Sequence, residues 1–154
     1  MVTVDSTKLQ IQPQYGTEIR LKNLGKSFDS LQVLSNINLD IRPGEFVAIV
    51  GRSGCGKSTL LRLIAGLETP TSGEIRLDDR LLVGLNREAR IMFQDARLLP
   101  WRRVLENVAI GSKRQGKQYG LLTLNQVGLG DRTKAWTTQL SGGQRQRVAL
   151  ARAL

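Results

Sequence analysis

The chain has 154 residues, 40% of them apolar and 23% charged, which suits one ordinary globular domain and excludes disordered or fibrous classes. A single cysteine, Cys55, excludes an internal disulfide framework and fits a reducing compartment, and no apolar run approaches the roughly 20 residues that span a bilayer. The net charge of +10, from 23 Lys and Arg against 13 Asp and Glu, suits an anionic partner (nucleic acid, acidic lipid or nucleotide phosphate) or a solvated basic surface.

The first residues, Met1–Tyr15, are polar, carry Asp5 and lack the apolar core of a secretory signal. Residues 1–17 are therefore expected to be a flexible N-terminal extension. Glu18–Lys22 alternates, with Ile19 and Leu21 on one face, and predicts a strand. Asn36–Ile41 alternates more clearly, with Ile37, Leu39 and Ile41 opposite Asn38 and Asp40, as in a half-buried strand of an antiparallel sheet. The turn Arg42–Glu45 leads to Phe46–Val50, which is apolar without alternation and reads as a strand covered on both faces, the mark of a parallel sheet. A helix is expected from about Lys57 to Ala65, stopped by Gly66. Pro70–Gly73 turns into a strand at Glu74–Leu77, and Arg90–Phe93 predicts another. Helices follow at Trp101–Ile110, opened by Pro100, at Gln115–Val127, stopped by Gly128, and at Gln144–Ala153.

Between the apolar strand and the first helix lies Gly51-Arg52-Ser53-Gly54-Cys55-Gly56-Lys57-Ser58, which fits G-x-x-x-x-G-K-[ST] in the strand–loop–helix setting the motif requires. A triphosphate needs several backbone N–H donors converging on its oxygens. Gly51, Gly54 and Gly56 let the chain wrap that closely. The helix start turns free N–H groups and a positive dipole end toward the anion. Lys57 supplies a full charge to the β- and γ-phosphates, Ser58 offers a hydroxyl to Mg²⁺, and Cys55 contributes its backbone. Arg52, Ser53 and Thr59 complete the candidate ATP-binding stretch. A kinase, a GTPase, a helicase or a transporter motor could each carry such a loop.

A second motif decides among these. Leu140-Ser141-Gly142-Gly143-Gln144 places two glycines before a helix, which makes either a backbone anion site or a plain helix cap at Ser141 or Gly142. Taken with the phosphate loop, the chain from about Glu18 to Leu154 resembles the nucleotide-binding domain of ABC transporters, whose signature motif is Leu-Ser-Gly-Gly-Gln. The resemblance implies an α/β P-loop NTPase of the ABC ATPase type, with an N-terminal antiparallel β subdomain and a helical subdomain. It implies one partial domain over 18–154, β-rich with the phosphate loop over 18–95 and helical with the signature over 96–154. It further implies that Ser141, Gly142, Gly143 and Gln144 of one subunit cap the ATP held by a second copy in a head-to-tail homodimer. Phe28, in Lys26-Ser27-Phe28, matches the aromatic residue that stacks on adenine, and Gln94 matches the glutamine that touches Mg²⁺ and senses the γ-phosphate. Met92–Val108 looks like importers of the nitrate, taurine and aliphatic sulfonate group, and most like aliphatic sulfonate import ATPases. In that family the Gln94–Val108 region meets the membrane-spanning permease, an extracytoplasmic solute-binding protein delivers the solute, and the subunit sits on the cytoplasmic face of the inner membrane.

The same resemblance implies an aliphatic stretch ending in Asp-Glu, with a His beyond it, to hold Mg²⁺, polarise water and contact the γ-phosphate. This sequence contains no His and ends at Leu154, right after the signature helix. It is expected to be C-terminally truncated, without the last part of the parallel sheet and without catalytic carboxylates. Asp78-Asp79 is a hairpin-turn pair and not a substitute for them. The expectation is ATP binding ahead of turnover, and marginal stability of the isolated chain. Two alternatives stay open: a non-hydrolysing ATP-binding remnant, and an ABC-type ATPase acting on nucleic acid or ribosomes. The dispersed arginines speak against the latter, so no nucleic-acid partner is expected.

Overall fold

The computed structural model describes residues 3–5, 16–110 and 116–154, with the side chains of 3–5 left aside. It divides into two compact units, Met1–Ala89 and Arg90–Leu154.

The first unit is built on an antiparallel sheet. Taking the strands in chain order, β1 is Thr3–Asp5, β2 Ile19–Phe28, β3 Leu31–Ile41, β4 Ala48–Val50, β5 Ser72–Leu77 and β6 Arg80–Leu81, with helix α1, Lys57–Ile64, between β4 and β5. Four strands pair in the order β3-β2-β5-β6, and β4 pairs antiparallel with β1. β2 and β3 both run beyond the alternating stretches that the sequence shows. Asn23 and Asn36 adopt positive φ (47° and 48°), and the β2–β3 register shifts between Leu21 and Leu24. These bulges let Leu21 and Leu24 both face inward three residues apart, which period-two counting misses. Leu21, Leu24, Leu34, Leu60, Leu63 and Ile75 form the core of this unit, joining the sheet to α1. Helix α1 ends as expected at Gly66 (φ 67°), where Gly66 N–H donates to Leu63 O and Leu67 N–H to Arg62 O. This is a Schellman closure, and a Cβ on Gly66 would come within 2.0 Å of Gly84 O. Asp78 and Asp79 both have positive φ (46° and 62°) and make the two-residue turn between β5 and β6, so the pair is a hairpin turn, as read.

Three expectations need correction. The strand at Phe46–Val50 shortens to Ala48–Val50, and its partner is β1, antiparallel, so Thr3–Asp5 is a strand inside the stretch expected to be flexible. It is not covered on both faces either: Phe46 is 84% and Val50 61% exposed, because no described element packs over them. Arg90–Phe93 is not a strand: it carries no regular secondary structure.

The second unit is helical: α2 is Val104–Ala109, α3 Gly116–Gln126 and α4 Gly142–Ala153, with short 3₁₀ turns at Gly130–Arg132 and Thr137–Gln139. Val104, Val108, Leu124, Leu129, Leu140, Val148 and Ala151 make its core. Helix α2 starts at Val104 and not beside Pro100. Asn107, fully buried, donates its amide to the carbonyls of Leu99, Arg102 and Arg103 and accepts from Leu99 N–H, which holds Leu99–Arg103 in a turn. Glu106 then accepts from Arg103 N–H and caps the helix. Gln115, expected to open α3, lies outside the described residues. Gly128 (φ 70°) stops α3 as expected, with Gly128 N–H on Asn125 O and Leu129 N–H on Leu124 O.

Candidate nucleotide site

The phosphate loop leaves β4 at Val50 and enters α1 at Lys57. Gly51, Arg52, Ser53, Gly54 and Ser58 are exposed, while Gly56 is buried against the sheet. Gly54 and Gly56 adopt φ of 80° and 100°, a conformation that side-chain-bearing residues rarely take. Around Gly54 a Cβ would meet nothing within 4 Å, so the loop presents bare backbone to open space. The start of α1 has no side-chain cap, which leaves its first-turn N–H groups for an outside acceptor. The Lys57 ammonium folds back over the loop and donates to Gly51 O and Arg52 O, both at 2.8 Å, with Cys55 Sγ at 3.6 Å. Lys57 is thus held over the loop's own backbone. Thr59 is half-buried in the first turn of α1. An apolar cavity of about 190 Å³, lined by Leu34, Ile37, Leu39, Ile49 and Leu60 among others, touches the loop at Gly56 and Lys57 only. Asn36 and Asn38 also line it, and neither Gly51 nor Gly54 does.

Phe28 lies in the same unit, at the end of β2. A Cβ on Gly56 would come within 2.7 Å of Leu34 Cδ2, so the loop rests on β3 at Leu34. Leu34 pairs with Lys26 of β2, two residues before Phe28. Phe28 thus stands on the strand next to the one that supports the loop. Phe28 is 41% exposed, and the Lys26 ammonium stands 4.7 Å from its ring centroid. Lys26 is in turn anchored by Glu68 at 3.3 Å and Thr69 O at 2.8 Å. Sequence reasoning names Lys26 beside Phe28 without giving it a role, and passes over Glu68. The placement of Lys26 could have been found, since residues i and i+2 share a strand face; Glu68, from a distant loop, could not.

Gln94 and the Ser141–Gln144 stretch belong to the second unit. Ser141 is the N-cap of α4: its hydroxyl oxygen accepts from Gln144 N–H at 3.2 Å, and Gln144 Oε1 accepts from Ser141 N–H at 2.9 Å. This reciprocal pair is a capping box, and it engages Gln144 inside the chain. Ser141 keeps its O–H free to donate. A Cβ on Gly142 or Gly143 would meet nothing within 4 Å, so both glycines present open backbone. Gln94 is exposed, and its backbone carbonyl accepts from Gln146 Nε2 of α4. Arg152 donates to Ala96 O at 2.7 Å and Arg97 O at 2.9 Å, and burial lowers its pKa. Helix α4 therefore grips the backbone from Gln94 to Arg97, a link that no sequence pattern announced. In the expected partner-facing region, Trp101 is 70% exposed and Arg103 stacks over Trp136 at 4.4 Å. Among the described residues no group of His, Cys, Asp and Glu could hold a metal ion.

Comparison with known proteins gives a consistent answer. A protein "Aliphatic sulfonates import ATP-binding protein SsuB" of Albidiferax ferrireducens is 58% identical over 139 residues, 90% of this chain and 50% of that protein. The protein of the same name from Yersinia pestis is 52% identical over 148 residues, 96% of this chain and 54% of that one. The chain spans about half the length of these curated relatives. Among solved structures, a dimeric ATP-binding cassette in a post-hydrolysis state with ADP and Pi superposes with a TM-score of 0.76 at 34% identity, over 88% of this chain and 68% of that one. The structure of cbiO1 from Clostridium perfringens, part of the transporter complex cbiONQ, superposes with a TM-score of 0.73 at 27% identity, over 88% of this chain and 60% of that one. These neighbours support the expected ABC-type P-loop fold. A family model described as ABC transporter matches residues 34–154, from the strand beneath the phosphate loop through the signature helix, and the chain belongs to the ABC transporter family.

Proposed function

We propose that this chain is the ATP-binding part of an importer for a small anion, with an aliphatic sulfonate as the cargo. The observation that carries the reading is the phosphate loop itself: open glycine backbone, an uncapped helix start, and Lys57 held on the loop's own carbonyls. These groups are donors and one cation, the complement of a polyphosphate. In this reading Gly51–Gly56 and the N–H groups of Lys57, Ser58 and Thr59 cradle the phosphates. Lys57 exchanges its carbonyl partners for phosphate oxygens. Phe28 offers a ring to the adenine. The Ser58 hydroxyl would offer Mg²⁺ a neutral oxygen ligand, with the ion carried by the nucleotide, and no carboxylate cluster is present among the described residues. When bound, that ion would neutralise phosphate charge.

Ser141, Gly142 and Gly143 would meet the nucleotide of a second copy, with Ser141 donating its hydroxyl, while Gln144 serves by holding the cap. The dimeric state of the similar cassette supports this arrangement. The Gln94–Val108 region, with exposed Trp101 at its centre, would meet a membrane-spanning permease. Through that partner the chain would act at the inner membrane's cytoplasmic face, with a solute-binding protein acting indirectly. Among the described residues no helix is long and apolar enough to cross a membrane. The cargo is read from the relatives' name.

Affinities for ATP, ADP and AMP test the core of the proposal. Binding that depends on the β- and γ-phosphates predicts AMP at least about tenfold weaker than ATP. Equal affinity for all three would refute it. For the cargo, loss of growth on an aliphatic sulfonate as sole sulfur source, on deletion of the gene in its host, is the expected result.

A further inference from the structure

The ring of Phe28 does not stand alone. Lys26 precedes it by two residues on β2, and its ammonium sits 4.7 Å from the ring centroid. That ammonium is fixed from below by two acceptors of the loop after α1, Glu68 Oε2 at 3.3 Å and Thr69 O at 2.8 Å. The Lys26 side chain is only 12% exposed, although lysine is the residue most often left in water. The ring it supports remains 41% exposed. A solvated lysine would gain little from such an arrangement. A cation held against one face of a ring fixes the ring's tilt and leaves the other face for a second planar group. Ser27, between the two, is also tied down: its N–H donates to Thr71 Oγ1 at 3.0 Å. The segment Glu68–Thr71 therefore braces β2 where it carries the ring.

We propose that Lys26 is a positioning residue for the nucleotide base: anchored by Glu68 and Thr69, it holds the Phe28 ring in the orientation on which adenine stacks. The proposal rests on the reading of Phe28 as the base platform and of Gly51–Ser58 as the phosphate cradle. It assigns base recognition to a three-part stack of cation, ring and purine, in which only the ring touches the ligand. Glu68 neutralises the ammonium, so the effect is on the base and not on the phosphates.

The test separates the two ends of the ligand by titrating the 154-residue chain with ATP and with inorganic tripolyphosphate. Lys26→Ala should weaken ATP about three- to fivefold and leave tripolyphosphate unchanged. Lys26→Arg, which keeps a cation able to reach the same acceptors, should restore ATP affinity to within about twofold. In a Phe28→Leu background Lys26→Ala should have no further effect, because the platform is already gone. Unchanged or tighter ATP binding in Lys26→Ala would overturn the proposal, as would an undiminished effect in the Phe28→Leu background. Equal loss of both ligands in Lys26→Ala and Lys26→Met would make Lys26 a residue of the fold and overturn it too. Wild-type binding of tripolyphosphate with no gain from the nucleoside would remove the base platform while leaving the phosphate cradle standing. Failure of the wild type to bind either ligand would sink the cradle and the proposal together.

Discussion

The Lys57 ammonium closes on Gly51 O and Arg52 O. In the proposed cradle a phosphate would compete with these two carbonyls for the cation, and a charged acceptor forms the stronger bond. Glu74 shows the same preference at the surface. The guanidinium of Arg76 donates to its carboxylate at 2.8 Å, and this bond holds the Glu74 pKa below its ordinary value. A lowered folded-state value means that the pair stabilises the fold above the carboxylate's ordinary range and ceases to as the pH falls through the lowered value. The melting temperatures of wild type and Glu74→Gln should differ most at neutral pH and converge in acid. A gap that stays constant between the two regimes would contradict the assignment. The role of Gly51–Ser58 as a phosphate cradle stands as proposed, and the motif itself was legible from residue types alone. Glu68 and Gln146 were not, since each acts on a residue far away in sequence, Lys26 and Gln94.

Elements fared unevenly for identifiable reasons. Helices α1 and α3 end at Gly66 and Gly128, where positive φ and Schellman bonds make the stop a local property. β2 and β3 outran their alternating stretches because bulges at Asn23 and Asn36 break the period. The apolar run Phe46–Val50 predicts a strand covered on both faces, but what covers a strand and which strand pairs with it depend on neighbours that composition cannot supply. Helix α2 began later than Pro100 suggested because Asn107 organises the turn before it. Two predictions belong here. Leu63 joins α1 to the sheet with no exposed surface, so Leu63→Ala should cost roughly 2–5 kcal/mol in urea unfolding, and a cost under about 1 would argue against this core. Ser141→Ala removes the α4 cap and should cost about 1 kcal/mol, measured the same way without nucleotide; no change would mean that the capping box is not formed in solution.

At the scale of the whole molecule, a β-rich unit carries the phosphate loop and the aromatic ring, and a helical unit carries Gln94 and the signature. Family membership follows from the match over residues 34–154, while the cargo and the partners rest on proposal. The strand that feeds the phosphate loop follows Phe46 and ends in Val50, which are 84% and 61% exposed. Apolar groups so exposed beside a lightly paired strand favour association. Phe46→Ser with Val50→Thr should lower light scattering of the purified chain at equal concentration, and unchanged scattering would place the sticky surface elsewhere. The central claim, that Gly51–Ser58 is a nucleotide cradle, meets its most direct test in calorimetric titration of ATP with Mg²⁺ into the wild type and into Lys57→Ala, with circular dichroism as the check on folding. The account predicts saturable binding by the wild type and affinity at least about tenfold weaker in a folded Lys57→Ala. Equal affinities in the two proteins, or no binding by a folded wild type, would contradict it.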